Sequence, residues 1–283
     1  MRVLRFLVVA VSILAGAIVA GGCAESTAGA RHRNPGPPAV KGPGPAGVKG
    51  STLPASRKRG GADYRFSIAH GARVHRDPQS GSFFVTSPAP ARPSALVVAV
   101  HGHNATAWQE YRRWAPFAAQ HGLGLATVEW QTRWGRDAQF LDTPTLYGLI
   151  HRAVRAEGTP AGRVLLHGFS MGSHQTYGLT TMDRRGPKLF AMTIAESGGE
   201  HDPLGRNPAL RGTRWVLYCA GQDPWPQLSG CPAMRRARAY LQSNGARVLR
   251  FMVDPPAGHG GMMRNRPDVE LALGDFTRAL AGR

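Results

Sequence analysis

The segment Gly168-Phe169-Ser170-Met171-Gly172 places a serine at the centre of a G-x-S-x-G pattern. A short apolar run, residues 164–167, precedes the pattern, and a helix-compatible segment follows it. In a strand–turn–helix arrangement of this kind, the backbone bends sharply and exposes the serine hydroxyl at the carboxyl edge of a sheet. The pattern is expected by chance about 0.2 times in such a chain. The prediction that Ser170 is a nucleophile therefore depends on partners elsewhere.

A serine hydroxyl is a poor nucleophile unless a base lies within hydrogen-bond reach. The predicted base is His259, in the glycine-rich motif Gly258-His259-Gly260 after the last predicted strand. The predicted acid is Asp223, which follows another strand in Gly221-Gln222-Asp223-Pro224. His259 is expected to take the Ser170 proton, while Asp223 orients the imidazole and stabilises its cation. The alternative acids, each at or after the end of a predicted strand, are Asp254, Asp202 and Glu196.

The net charge of the chain limits the classes of partner. Its 283 residues carry a formal charge of +18. Residues 1–61 hold nine basic residues and one acid, so the remainder keeps a net charge of +10. Nucleic-acid binding is compatible with such a charge, but the sequence has no recognised binding motif and no aromatic residues within its basic run. We expect no nucleic-acid partner and instead a cationic surface that attracts anionic headgroups or wall polymers.

The amino terminus has the features of an export signal. Basic residues precede an uncharged apolar stretch, residues 6–20, which is shorter than the roughly 20 residues of a membrane-spanning helix. Gly21-Gly22-Cys23 follows and resembles the lipobox of bacterial lipoproteins, although Ala20 stands where that family usually has a larger aliphatic residue. Residues 1–22 are predicted as a signal peptide and Cys23 as a lipidated residue that anchors the chain to a membrane. The alternative is ordinary cleavage after residues 28–30 and release as a secreted protein.

Cysteine usage agrees with export. Apart from Cys23, the chain has two cysteines, Cys219 and Cys231, separated by a loop that contains proline and glycine. In an oxidising compartment this pair predicts a disulfide. The alternative is two unpaired thiols.

Composition divides the chain into a tether and a folded domain. Residues 23–62 are rich in glycine, proline and basic residues, and they lack the apolar side chains needed to offset chain entropy. In residues 63–283, strand and helix patterns alternate, which predicts a mainly parallel, doubly wound α/β sheet with an antiparallel start. Strands are predicted over residues 64–69, 82–86, 95–100, 123–129, 163–167, 189–195, 214–220 and 248–254, and helices over residues 108–121, 145–157, 171–184, 232–244 and 268–280.

The domain resembles the α/β-hydrolases, in particular compact secreted esterases similar to polyhydroxybutyrate depolymerases and feruloyl esterases. The resemblance is carried by the three motifs above together with His101-Gly102-His103-Asn104, in the family's chain order. It implies an α/β-hydrolase fold of about eight strands flanked by helices, without a cofactor. No long insertion interrupts the domain, so a large lid is not expected. The resemblance also implies that the main-chain N–H groups of Met171 and His103 form an oxyanion hole.

Tryptophans near the predicted strand ends are candidates for substrate contacts. Trp130 follows a strand end directly, and Trp225 follows the Asp223 motif, so both are predicted to line an apolar acyl pocket. A metal site formed by His101, His103 and His259 is not expected, because their spacing matches no metal-binding motif.

The residues together predict an exported serine carboxylic-ester hydrolase that acts through an acyl-enzyme on a small-molecule or polymeric ester. Two alternatives stay open on sequence alone. The same triad could transfer an acyl group to an envelope sugar or lipid, or the domain could be a noncatalytic cell-surface binding module on a hydrolase scaffold. The oligomeric state is not encoded in any of these motifs.

Overall fold

A computed structural model describes residues 61–88, 93–135, 137–199 and 205–282 of the chain. The predicted signal peptide, Cys23 and residues 24–60 of the predicted tether lie outside the described residues, as does Asp202.

An eight-stranded sheet forms the centre of the described domain, with strand order β1-β2-β4-β3-β7-β8-β9-β10. The pairs β1–β2 and β2–β4 are antiparallel, and every later pair is parallel. A separate antiparallel ribbon joins β5 and β6. The strands are β1 Arg73–Asp77, β2 Ser82–Thr86, β3 Leu96–Val100, β4 Gly124–Glu129, β5 Gln131–Arg133, β6 Gln139–Phe140, β7 Val164–Phe169, β8 Phe190–Glu196, β9 Arg214–Ala220 and β10 Arg247–Asp254.

Helices cover both faces of this sheet. Two of them begin at side-chain caps: Thr106 accepts the Gln109 N–H at α2, and Asp142 accepts the Thr145 N–H at 2.8 Å at α3. Within the described residues, no helix is long and apolar enough to span a bilayer. The helices are α1 Ala62–Ala69, α2 Ala107–Gln120, α3 Thr143–Ala156, α4 Met171–Arg185, α5 Cys231–Ser243 and α6 Arg266–Ala281, with short 3-10 turns at Pro208–Leu210 and Met262–Arg264.

Side chains of the central strands divide between two apolar layers. On β3, Val97 and Ala99 face the layer that contains α2 and α6, whereas Leu96, Val98 and Val100 face the layer that contains α3 and α4. Because both faces are covered, β3 is apolar at all five positions. The continuous apolar runs in the sequence have this cause, and the predicted mainly parallel, doubly wound sheet is confirmed.

The start of the domain differs from the sequence prediction. Residues 64–69, predicted as a strand, belong to helix α1, which packs Tyr64 edge-on against Trp108 of α2 with ring centroids 5.0 Å apart. The first strand is β1 instead, whose sequence Arg-Val-His-Arg-Asp is mostly exposed. As an edge strand covered mainly by solvent, β1 carries no apolar alternation for a sequence pattern to reveal.

Candidate active site

Ser170 lies in the sharp turn between β7 and α4. Its backbone has φ 54° and ψ −118°, a conformation that few residues other than glycine adopt. The flanking glycines allow this turn, because a Cβ at Gly168 would lie 2.4 Å from the Gly172 carbonyl oxygen. A Cβ at Gly172 would lie 2.2 Å from the Val100 carbonyl oxygen. The serine hydroxyl is therefore held at the carboxyl edge of the parallel strands.

The three residues predicted as a triad form a continuous hydrogen-bonded chain. The Ser170 Oγ and His259 Nε2 are 2.8 Å apart, and His259 Nδ1 and Asp223 Oδ2 are also 2.8 Å apart. A carboxylate accepts hydrogen bonds only, so Nδ1 carries the proton and Nε2 is left to accept the Ser170 hydroxyl. This is the arrangement in which a histidine can remove the serine proton.

The loop that carries Asp223 fixes its carboxylate. Oδ1 accepts hydrogen bonds from the Trp225 N–H at 2.9 Å and the Ser229 hydroxyl at 2.8 Å, which leaves Oδ2 for His259. A disulfide between Cys219 and Cys231 closes the ends of this loop, which confirms the predicted pairing. Ser229 was not identified from the sequence, because a loop serine six residues from an aspartate has no distinctive pattern.

Two of the alternative acids have other partners. Asp254 Oδ2 accepts the Tyr218 hydroxyl at 3.1 Å and the Asn265 amide at 3.2 Å. Glu196 is buried and paired with His167, whose Nε2 lies 3.0 Å from its Oε2. Neither carboxylate has a hydrogen bond to His259 among the contacts of the described residues, whereas Asp223 does.

The loop after β3 approaches the serine from the other side. A Cβ at Gly102 would lie 2.9 Å from the Ser170 Cβ, so only glycine allows this approach. His103, the next residue, lines the same cavity as Ser170 and Met171. Met171 is the first residue of α4, where a main-chain N–H has no acceptor within the helix.

A buried ion pair supports this loop from beneath. His101 donates from Nδ1 to the Gly102 carbonyl oxygen and from Nε2 to Glu129 Oε1, each at 2.8 Å. Burial alone would lower the pKa of His101, but the charge and hydrogen bond of Glu129 outweigh it and raise the pKa. Glu129 Oε2 also accepts the Ala107 N–H at the start of α2. The sequence signal for Glu129, an acidic residue at the end of a buried strand, is the same one that identified Asp223.

A cavity of about 330 Å³ opens over Ser170. Trp225 lines it, is 54% exposed and packs edge-on against the His259 ring at 5.1 Å. Leu228, 51% exposed, adds apolar surface at the same rim. The lining residues are His103, Phe169, Ser170, Met171, His174, Trp225, Leu228, Ser229 and His259.

Trp130 lies outside the cavity, contrary to the sequence prediction that it lines the acyl pocket. It is 1% exposed and absent from the cavity lining. Its indole Nε1 donates to the His101 carbonyl oxygen at 2.8 Å, and its ring packs on Phe140 with centroids 4.5 Å apart. An indole has an apolar body and a single donor, so its position after a strand end fits a buried support as well as a pocket wall.

No group of three or more His, Cys, Asp or Glu side chains within the described residues is arranged to hold a metal ion. The His101 ring is hydrogen-bonded to Glu129, and the His259 ring is hydrogen-bonded to Asp223 and Ser170.

The sheet order, the flanking helices and the serine turn after β7 define an α/β-hydrolase fold. No protein-family model and no curated protein matches the chain. Solved structures share the fold at low identity. A phospholipase/carboxylesterase from Dyadobacter fermentans is 18% identical, with a TM-score of 0.52 over 69% of this chain and 95% of its own.

Two archaeal esterases give similar values. One from Pyrococcus furiosus is 12% identical, with a TM-score of 0.53 over 75% of this chain and 94% of its own. Another from Pyrobaculum calidifontis is 12% identical, with a TM-score of 0.54 over 74% of this chain and 85% of its own. At these identities the likeness establishes the fold, and the chemistry must be argued from the site.

Proposed function

We propose that the protein is a serine hydrolase of carboxylic esters that acts through a Ser170 acyl-enzyme. The observation that carries the proposal is the chain of two 2.8 Å hydrogen bonds from Ser170 through His259 to Asp223. The esterases that share the fold support the same reaction class.

In the first half-reaction, the Ser170 oxygen attacks the ester carbonyl carbon while its proton moves to His259 Nε2. The Asp223 carboxylate stabilises the imidazolium that forms. His259 then returns the proton to the departing alkoxide, which leaves an acyl group on Ser170. In the second half-reaction, His259 removes a proton from water, the hydroxide attacks the acyl carbon, and Ser170 takes back a proton as the acid is released.

The negative charge on the carbonyl oxygen needs fixed donors. We assign these to the main-chain N–H groups of Met171 and His103, in agreement with the sequence prediction. Support comes from the position of Met171 at the start of α4 and from the close approach of Gly102 to Ser170. One such donor typically lowers the barrier by about 3–4 kcal/mol.

The substrate contact proposed here is the apolar rim formed by Trp225 and Leu228. Both side chains are about half exposed beside the reacting serine, where an acyl chain or aromatic acid would cover them. The open cavity suits a small-molecule ester or one unit of a polymeric ester.

Export and a lipid anchor at Cys23 also belong to this proposal. The Cys219–Cys231 disulfide supports an oxidising compartment. The amino-terminal sequence supports a signal peptide of residues 1–22, and Cys23 would then carry the lipid.

The proposal is tested with an aryl fluorophosphonate and a p-nitrophenyl ester. We expect the wild-type protein to hydrolyse the ester and to be labelled at Ser170, and we expect Ser170→Ala to lose both reactions while its melting temperature stays close to wild type. Ser173→Ala is a matched control, since Ser173 is buried and donates to the Gly198 carbonyl oxygen. Labelling of the Ser170→Ala protein, or a wild-type protein that does not react, would count against a serine hydrolase and favour a binding module.

A further inference from the structure

Glu196 connects three parts of the site although it is buried beneath the cavity. It is the last residue of β8, and its main-chain carbonyl oxygen accepts the Ser170 N–H at 2.9 Å. Its side-chain Oε1 accepts the Met262 N–H at 3.0 Å, three residues after the base His259. Its Oε2 lies 3.0 Å from His167 Nε2 on the strand that leads to the serine. Glu196 is thus hydrogen-bonded both to the turn that carries Ser170 and to the loop that carries His259.

The tautomer of His167 follows from its other neighbour. The Trp114 indole donates from Nε1 to His167 Nδ1 at 3.0 Å. An indole N–H can only donate, so Nδ1 must be the unprotonated nitrogen of the ring. The ring proton is therefore on Nε2 and is donated to Glu196 Oε2. All three side chains are buried, so this arrangement is shielded from solvent.

A second carboxylate lies on the opposite side of the His167 ring. Glu110 Oε1 is paired with Arg113 at 2.7 Å, while Oε2 lies 4.0 Å from His167 Nδ1 and has no hydrogen-bond partner among the described residues. The carboxylates of Glu110 and Glu196 raise the pKa of Arg113. The Arg113 guanidinium lies 5.2 Å from the Phe169 ring centroid, and that ring lies 5.0 Å from the His259 ring.

We propose that Glu196 is a positioning residue that sets the separation of Ser170 and His259, and that Trp114 enables this by holding His167 in its Nε2-protonated tautomer. The proposal rests on the serine-hydrolase function. Met262 is fully buried, and the hydrogen bond from its N–H to Glu196 fixes the position of the loop that carries His259. Loss of this hydrogen bond would let His259 move away from its 2.8 Å contact with Ser170.

A carboxylate is required at residue 196 because both of its oxygens face donors. An amide could accept from the Met262 N–H or from His167 Nε2, but its NH2 group would then face the remaining donor. Glu196→Gln is therefore not conservative here, although it is nearly isosteric. We expect it to lower kcat and the rate of fluorophosphonate labelling by about 10- to 100-fold with little change in KM, because a small misplacement of a catalytic base costs rates of this order.

Replacing the Trp114 indole provides a rescue experiment. In Trp114→Phe, His167 Nδ1 no longer accepts the indole N–H. His167 can then carry its proton on Nδ1, facing the unpartnered Glu110 Oε2. Nε2 then accepts from the side-chain amide that Glu196→Gln introduces, while the oxygen of that amide accepts the Met262 N–H. We expect Glu196→Gln with Trp114→Phe to be labelled several-fold faster than Glu196→Gln alone. A merely structural role predicts the reverse, since removing a buried indole creates a cavity and should make the double variant the slowest.

Two further measurements test the His167 tautomer and the specificity of the effect at residue 196. The ring nitrogens of His167, assigned in the wild-type protein by comparison with His167→Asn, should show a protonated Nε2 and an unprotonated Nδ1 in nitrogen-15 NMR spectra at pH 7. Glu270→Gln is the matched control, because Glu270 is a partly exposed carboxylate on α6 that is also paired with a histidine, and it should be labelled at the wild-type rate.

A wild-type protein that reacts while Glu196→Gln reacts equally fast overturns the positioning role alone, as does a His167 ring protonated at Nδ1. A double variant that reacts no faster than Glu196→Gln overturns the role of Trp114. A wild-type protein that does not react overturns the proposed function, and the positioning role with it.

Discussion

The indole Nε1 of Trp130 donates a hydrogen bond to the main-chain carbonyl oxygen of His101 at 2.8 Å. His101 in turn donates from its ring to the Gly102 carbonyl oxygen. In a trans peptide, the carbonyl and the following N–H point in opposite directions. The Gly102 carbonyl is turned towards the His101 ring, so the His103 N–H is turned away from it. Trp130 and His101 thus fix the orientation of one proposed oxyanion donor.

Trp130→Phe tests this support. Phenylalanine keeps most of the packing on Phe140 but leaves the buried His101 carbonyl oxygen without its donor. An unpaired buried acceptor costs about 1–3 kcal/mol, so the loop should relax and the oxyanion donor should shift. We expect kcat for a p-nitrophenyl ester to fall about tenfold with little change in KM, because the donor acts on the charge of the transition state. Trp225→Phe, at the exposed rim, is the contrasting variant and should change KM more than kcat.

Trp130 also shows where inference from the sequence reaches its limit. The residue types of the proposed triad and their places after strands were enough to predict which side chains would meet. Whether an aromatic residue after a strand end faces a cavity or the interior depends on the course of the following ribbon, β5 to β6, which no local pattern encodes. The Glu196–His167–Trp114 contacts were missed for a related reason, since they join residues 29 and 53 positions apart.

Asp77 gives a pH-dependent prediction for stability. Burial would raise the pKa of this carboxyl, but hydrogen bonds from Arg152 and Ser80 outweigh burial and lower it. A folded-state pKa below the unfolded value of about 3.9 stabilises the fold above that pH, and the contribution is lost as the pH falls through the folded-state pKa. We expect Asp77→Asn to lower the free energy of unfolding at pH 7 by about 1 kcal/mol, since Arg152 is partly exposed.

Urea unfolding between pH 7 and pH 2.5 measures this contribution. The difference between wild type and Asp77→Asn should shrink steadily below about pH 4. Asp142→Asn is the matched control, because Asn caps a helix about as well as Asp, so its effect at pH 7 should be smaller. A constant difference across the whole range would mean that Asp77 acts through packing and not through its charge.

The Cys219–Cys231 disulfide closes the loop that carries Asp223 and Ser229. A closed loop of this length stabilises a fold by about 3 kcal/mol in the chain-entropy model. We expect Cys219→Ala with Cys231→Ala to lower the free energy of urea unfolding by roughly that amount. We also expect kcat to fall at a temperature where the variant is still folded, because the carboxylate loses the restraint that directs Oδ2 towards His259.

Reduction of the wild-type protein separates the bond from the side chains. If the bond positions Asp223, a reductant should lower kcat in proportion to the free thiol detected, and reoxidation should restore it. The alanine variant should not respond to the reductant, which controls for effects on the assay. A fully reduced protein that stays folded and keeps its kcat would show that the hydrogen bonds of Oδ1 to the Trp225 N–H and the Ser229 hydroxyl are sufficient to hold the acid. The disulfide would then contribute to stability alone.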